Sequence, residues 1–253
     1  MLLSHTLFVN KSKRNVGMKK NNLIFAALFV TIGFAACDEG DILDADDTAR
    51  TAGKTVVLTA DLTGITTWGA QYSIVLAGFA EGSNYAVTQK RIAAVADGHV
   101  ETTLDITADS LSTIELCATN RLRERVASFV SISMEAAQGD TLRLDAGALD
   151  IGQFATLQQL VFTGTCARCH GLGATPAGEL TLVEGESYGQ LVDHPARLPE
   201  NGIRVLPGSA TESLLHHVVN GTASGIRFDH SNMIKEQTTL TLIDNWINGG
   251  AQP

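Results

Sequence analysis

At 253 residues the chain is long enough to bury a sizeable core, as one large domain or two small ones, and it carries a formal charge of −9. The first 36 residues hold five basic and no acidic side chains, so removing them leaves 13 basic and 27 acidic residues, a formal −14. That balance excludes nucleic acid as a partner and favours solvation in the cell envelope or steering toward basic partners.

The chain opens with Met1 to Gly17, which fits no part of an export signal, and then reads as one from Met18-Lys19-Lys20 onward. A basic start precedes an apolar run over residues 23–34, 12 residues that are too few to span a bilayer as a helix. Residues 1–36 are therefore expected to be a signal peptide, with Met18 a candidate true start. Ala35-Ala36-Cys37 resembles the lipobox of bacterial lipoproteins, which implies that Cys37 becomes a lipidated first residue and ties the protein to a membrane. Residues 38–50 hold six acidic residues and one basic residue with no apolar period, so residues 37–50 are expected to be the lipidated cysteine and a solvated tether. The product would face the periplasm or the cell surface.

Over residues 51–147 the apolar period is two. Val56, Leu58, Ala60 and Leu62 alternate with polar or small residues, as do Tyr72, Ile74 and Leu76; Val100, Leu104 and Ile106; Ile114 and Leu116; and Val126, Val130, Ile132 and Met134. Turn-forming residues fall between the runs, and Asp97-Gly98 predicts a hairpin. About seven short strands at this spacing predict an all-β, immunoglobulin-like sandwich. Arg121, Arg123 and Arg125 beside Glu124 read as a solvated hairpin tip or a docking patch, His99 as an exposed strand residue, and Cys117 as a small buried hydrophobe. Such a module can bind a glycan or a protein; it gathers no catalytic residue types.

After Gly147 the pattern turns helical and glycine-rich. Phe154, Leu157, Leu160 and Val161 form one helix face leading into Gly164-Thr165-Cys166-Ala167-Arg168-Cys169-His170-Gly171. Two cysteines two residues apart with histidine next read as the attachment site of a c-type haem. Each thiol adds across one vinyl group, so the sulfurs must sit about one helical turn apart, and the following imidazole lies under the ring to ligate the iron. Composition alone would give about 0.002 such matches in a chain like this. A zinc site needs about four ligands, usually through a second cysteine or histidine pair, and no other Cys-x-x-Cys occurs here. Downstream, Ser209-Ala210-Thr211-Glu212 predicts a capping box before a helix with Leu214, Leu215, Val218 and Val219. Leu240, Leu242, Ile243, Trp246 and Ile247 predict a last helix stopped by Gly249-Gly250.

These features together resemble the single-haem domain of the Planctomycete-type cytochrome c group, a relative of class I cytochromes c. The resemblance covers residues 151–252 and rests on Cys166-Ala-Arg-Cys169-His170-Gly171, Glu186-Ser-Tyr188-Gly-Gln-Leu191-Val192, Arg204-Val205-Leu206-Pro207-Gly208-Ser209, Ser213-Leu214-Leu215 and Ile243-Asp-Asn-Trp246-Ile247-Asn-Gly249-Gly250-Ala251. It implies a multi-domain chain in which the sandwich is followed, over residues 148–253, by a small, mostly α, cytochrome c-like domain with one covalent haem c. The family's distal methionine falls at Met233. His230, three residues earlier, competes for the iron; His216 and His217 share a helix on which one at most faces the haem, and His194 stands in a loop. Proline loops at Leu198-Pro199 and Leu206-Pro207 are candidate acceptors for the other His170 nitrogen. Arg204 and Arg227 are candidate partners of the haem propionates, and Trp246 packs near the porphyrin or in the core.

The expected activity is one-electron transfer with redox partner proteins of the envelope, without substrate turnover. Two alternatives stay open at this point: a haem enzyme or gas sensor with an open distal position, and a surface binding protein acting through the sandwich.

Overall fold

A computed structural model describes residues 53–93, 96–107, 110–136, 139–173, 175–197 and 202–253. The expected signal peptide, lipidation site Cys37 and tether lie outside the described residues, as does the Leu198-Pro199 loop. Among the described residues no helix is long and apolar enough to cross a membrane.

Among the described residues seven strands form two sheets: β1 (Lys54–Thr63), β2 (Tyr72–Phe79), β3 (Ala86–Arg91), β4 (Gly98–Ile106), β5 (Thr113–Asn120), β6 (Arg125–Ser133) and β7 (Thr141–Asp150). One sheet has the order β4-β1-β7, with β1 antiparallel to β4 and parallel to β7; the other has the order β3-β2-β5-β6, antiparallel throughout. Strand β1 shows why. Val56, Leu58, Ala60 and Leu62 are buried while alternate positions face outward, the pattern of a strand packed on one side. Their partners across the core include Ile74 and Leu76 of β2 and Ile114 and Leu116 of β5. The outer face of β2 and β5 keeps a small cluster of its own, Val75, Ala77, Phe79, Ala86 and Cys117.

Asp97-Gly98 makes no hairpin. β3 and β4 belong to different sheets, so the chain crosses between them here, and Gly98 takes φ 141° at the start of β4. The Asp97 carboxylate accepts the Ile65 amide at 3.3 Å instead of closing a two-residue turn.

Five α-helices follow among the described residues: α1 (Gln153–Leu157), α2 (Ala167–His170), α3 (Ser187–Leu191), α4 (Leu214–Val219) and α5 (Gln237–Asn248), with a π-helical stretch Gln158–Cys166 between the first two. The expected architecture, an immunoglobulin-like sandwich followed by a separate, mostly α, cytochrome c-like domain, is thereby corrected. Among the described residues the molecule is mostly β-sheet with few helices, and besides the continuous helical run Gln153–His170 only α5 exceeds six residues. The physical reason lies in the glycines and prolines that punctuate residues 171–208, and in helices too short to enclose a core of their own. The helical residues Leu157, Val161, Phe162, Leu242, Trp246 and Ile247 join the same apolar cluster as the strand residues, and residues 49–253 make one compact unit. The capping box also fails to form: Ser209 makes no side-chain cap, and Ser213 Oγ takes the Leu206 amide at 2.8 Å.

The seam is tied by named bonds. Trp68 Nε1 donates to the Ile151 carbonyl at 2.6 Å, the Gln153 amide donates to Thr67 Oγ1 at 2.8 Å, and Asn245 Nδ2 donates to the Tyr72 hydroxyl at 2.8 Å. Gly64, at φ 75°, lies so close to Gly152 that a Cβ on it would collide with the Gly152 backbone. That close approach fixes where the chain leaves β7 for α1.

Candidate functional site

The two cysteines sit where the π-helical stretch gives way to α2. The buried face of this segment, Leu157, Val161 and Phe162, anchors it, and the Ala167 amide closes the wider turn by donating to the Phe162 carbonyl. A π-turn carries an extra residue per loop and re-aims the side chains that follow it. Cys166 ends half-buried and Cys169 exposed, one helical turn apart, and both are free thiols. Burial pushes the Cys166 thiol up to about 11, helped by the neighbouring Cys169. Directly after His170 the chain must turn away sharply. A Cβ at Gly171 would collide with the Ala167 carbonyl oxygen, so glycine is required at this step.

Residues 175–182 fold back over His170. The Leu182 amide donates to the His170 carbonyl at 2.6 Å, and His170 Nδ1 lies 2.8 Å from the Ala177 carbonyl oxygen. A carbonyl can only accept, so Nδ1 carries the proton and the Nε2 lone pair is left for a metal. Burial holds the imidazole below its ordinary pKa, against the hydrogen bonds to Ala177 and Leu180, which favours the neutral, ligating form.

Arg204 holds this arrangement from behind. It is 6 % exposed, and its guanidinium donates to the Gln190 carbonyl at 2.8 Å, to Gln190 Oε1 at 3.2 Å, and to the carbonyls of Glu179 at 3.2 Å and Gly178 at 3.5 Å. With its donors spent on the turn that presents Ala177, Arg204 is a positioning residue for His170, where a propionate partner was expected. The acceptor is the Ala177 carbonyl, in the turn after Pro176, and not the Leu206-Pro207 loop in which it was expected. Its visible trace in the sequence is Pro176-Ala177-Gly178, where Gly178 takes φ 63°.

The ring that faces His170 is His230, with centroids 6.2 Å apart and planes 25° apart. His230 also meets Phe228 edge-on at 4.9 Å, and its Nδ1 is buried with no hydrogen-bond partner. Met233, the expected distal ligand, is 38 % exposed, and its amide closes a turn by donating to the His230 carbonyl at 2.9 Å. The remaining histidines among the described residues are committed elsewhere. His216 Nδ1 pairs with Asp244 at 2.7 Å, His217 bonds Thr222 and Thr211 at 2.9 Å, His194 lies 2.9 Å from the Pro195 carbonyl, and His99 pairs with Asp61 at 3.0 Å.

Of the other expected contacts, Arg227 is exposed on the loop before His230. Trp246 is buried, 5.2 Å from the Phe154 ring, and its Nε1 donates to the Gln252 carbonyl at 2.7 Å, so it is a core residue. Cys117 is buried in β5, where burial raises its thiol far above the ordinary range. Among the described residues no group of three or more His, Cys, Asp or Glu side chains gathers as a metal site, so nothing completes Cys166 and Cys169 into a four-ligand zinc centre. A cleft of about 510 Å³ opens elsewhere, at the seam, lined by Trp68, Gln71, Gln153, Asn245, Asn248 and Gln252.

Comparison with known protein families, with curated proteins and with solved structures found no match for this chain.

Proposed function

We propose that Cys166 and Cys169 carry one covalently attached haem whose iron His170 ligates, and that the protein passes single electrons between redox partners of a bacterial cell envelope. The observation that carries this reading is the His170 tautomer. In a Cys-x-x-Cys-His segment with both thiols free, Nδ1 is bound to Ala177 and Nε2 keeps its lone pair. The donor set fits the group: two thiols a helical turn apart for the two vinyl carbons, and a neutral imidazole immediately after. The reading rests on this local chemistry and needs no separate helical domain.

When bound, the haem supplies a one-electron couple. The chain's own residues do the rest. Cys166 and Cys169 fix the group by two bonds, the Ala177 carbonyl orients the imidazole and raises its basicity, and Arg204 holds the turn that carries that carbonyl. The signal peptide, Cys37 and the acidic tether supply the proposed route to the envelope and the membrane anchor, with the folded part held off the lipid.

The test is an intact mass and a visible spectrum of the full chain, exported with its own leader by a host that has cytochrome c maturation machinery. One haem adduct, lost when Cys166 and Cys169 are both replaced by alanine, is the expected result. An unmodified mass from a host that matures a control cytochrome would overturn the reading.

A further inference from the structure

We infer that His230 is the second axial ligand of the iron, so that the haem is held between two histidines. This rests on the covalent haem proposed above and names the residue that completes the same site. Two observations carry it.

The first is the spacing. Imidazole nitrogens bind first-row metals at about 2.0 Å and each ring centre lies about 1.1 Å behind its nitrogen, so two imidazoles on one ion stand roughly 6.2–6.3 Å apart between centres. The His170 and His230 rings are 6.2 Å apart and only 25° from parallel. The second is the missing partner. His230 Nδ1 is buried and bonds to nothing among the described residues, whereas His99, His170, His194, His216 and His217 all have partners. A buried ring nitrogen without a partner is costly unless something else completes its surroundings.

Met233 lies on the other end of the same turn, so the loop over residues 228–234 can offer either side chain. The geometry selects the histidine. The consequence is a closed iron on both sides and a lower reduction potential than a histidine–methionine pair would set, since thioether ligation raises the potential.

The experiment uses the full chain, matured as above, with four readouts: intact mass, the near-infrared spectrum and the electron paramagnetic resonance spectrum of the oxidised form, and the reduction potential. Expected are one haem adduct, a low-spin ferric signal of two imidazoles, and no methionine-to-iron charge-transfer band. Met233→Ala should leave both spectra unchanged. His230→Ala should lose the low-spin signal and regain it with added imidazole, and His230→Met should raise the potential. A charge-transfer band in the unaltered protein that disappears in Met233→Ala would overturn the inference while leaving the haem itself in place. A high-spin signal indifferent to His230→Ala would do the same. A chain with no haem adduct would overturn this inference together with the reading it rests on.

Discussion

His170 and Ala177 are seven positions apart in the chain and 2.8 Å apart between Nδ1 and the carbonyl oxygen, and the turn that brings them together is held from below by Arg204. Removing that guanidinium takes the donor away from three carbonyls and the Gln190 side chain, and leaves a gap where the buried arginine stood. Hydrogen bonds to a charged group contribute about 1.5–3 kcal/mol each and are not additive. Arg204→Met is therefore expected to lower unfolding stability by about 3 kcal/mol in urea at unchanged slope. Arg204→Lys keeps the charge, loses the planar fork, and should recover less than half of that. A loss below about 1 kcal/mol would show that the turn holds without it.

The thiols should react in a fixed order in chain made without haem. Only the thiolate is alkylated, and raising a thiol from 9.0 to about 11 lowers its thiolate fraction near pH 8 about a hundredfold. Cys169, exposed, is expected to label first with iodoacetamide. Cys166 should follow, at a rate that climbs with pH up to about 11. Cys117 should label only on unfolding, because burial both blocks it and disfavours its thiolate. Peptide mass spectrometry over time checks the order, and early labelling of Cys117 would contradict the fold of β5.

The sequence made some of this legible and hid the rest for identifiable reasons. The period-two runs of Val56–Leu62, Tyr72–Leu76 and Ile114–Leu116 all lie on strands; the first packs one face on the core, while β2 and β5 are buried on both faces. Strand β7 was obscured, since Ala146-Gly147-Ala148 breaks its alternation and only the parallel pairing with β1 keeps it extended to Asp150. The helical period near Phe154 pointed to a real helix, yet not to its π-turn or to its burial against the sheets. Cys166, Cys169 and His170 were legible because their chemistry is written in adjacent residues. The pairing of His170 with His230 was not, because 60 residues of loop and short helix separate them and only the folded chain sets their spacing.

If the strands and helices are one unit, they should unfold together. Fluorescence of Trp68 and Trp246, one in the loop after β1 and one on α5, should report one midpoint in guanidinium. Tyr72→Phe deletes the acceptor of Asn245 Nδ2 across the seam and is expected to cost about 1 kcal/mol in that single transition. Gly64→Ala forces a Cβ against the Gly152 backbone from a left-handed conformation and should cost about 2 kcal/mol or more. Two resolved transitions, with Tyr72→Phe moving only one, would restore the two-domain picture.

Arg125, expected in a solvated hairpin tip, instead pairs with Glu115, whose side chain is 4 % exposed in the middle of β5, and lies 4.7 Å above the Phe79 ring. Its other nitrogen donates to Asn84 at 2.9 Å, so one arginine closes the outer face of the four-stranded sheet. Replacing it alone leaves a carboxylate with no countercharge in a site that excludes water, and Glu115 Oε2 already has no partner. Arg125→Met should therefore cost about 3 kcal/mol or more in unfolding free energy. Glu115→Leu in the Arg125→Met background removes the stranded charge and offers apolar surface to Val75, Ala77 and Phe79. That double variant is expected to regain most of the loss, because a buried ion pair gains little over well-packed apolar side chains once its desolvation is counted. The check is a double-mutant cycle by urea unfolding. If the double variant is less stable than Arg125→Met alone, the carboxylate itself holds β5 in register through Thr113, whose hydroxyl donates to it at 3.3 Å, and the ion pair is the lesser part of the site.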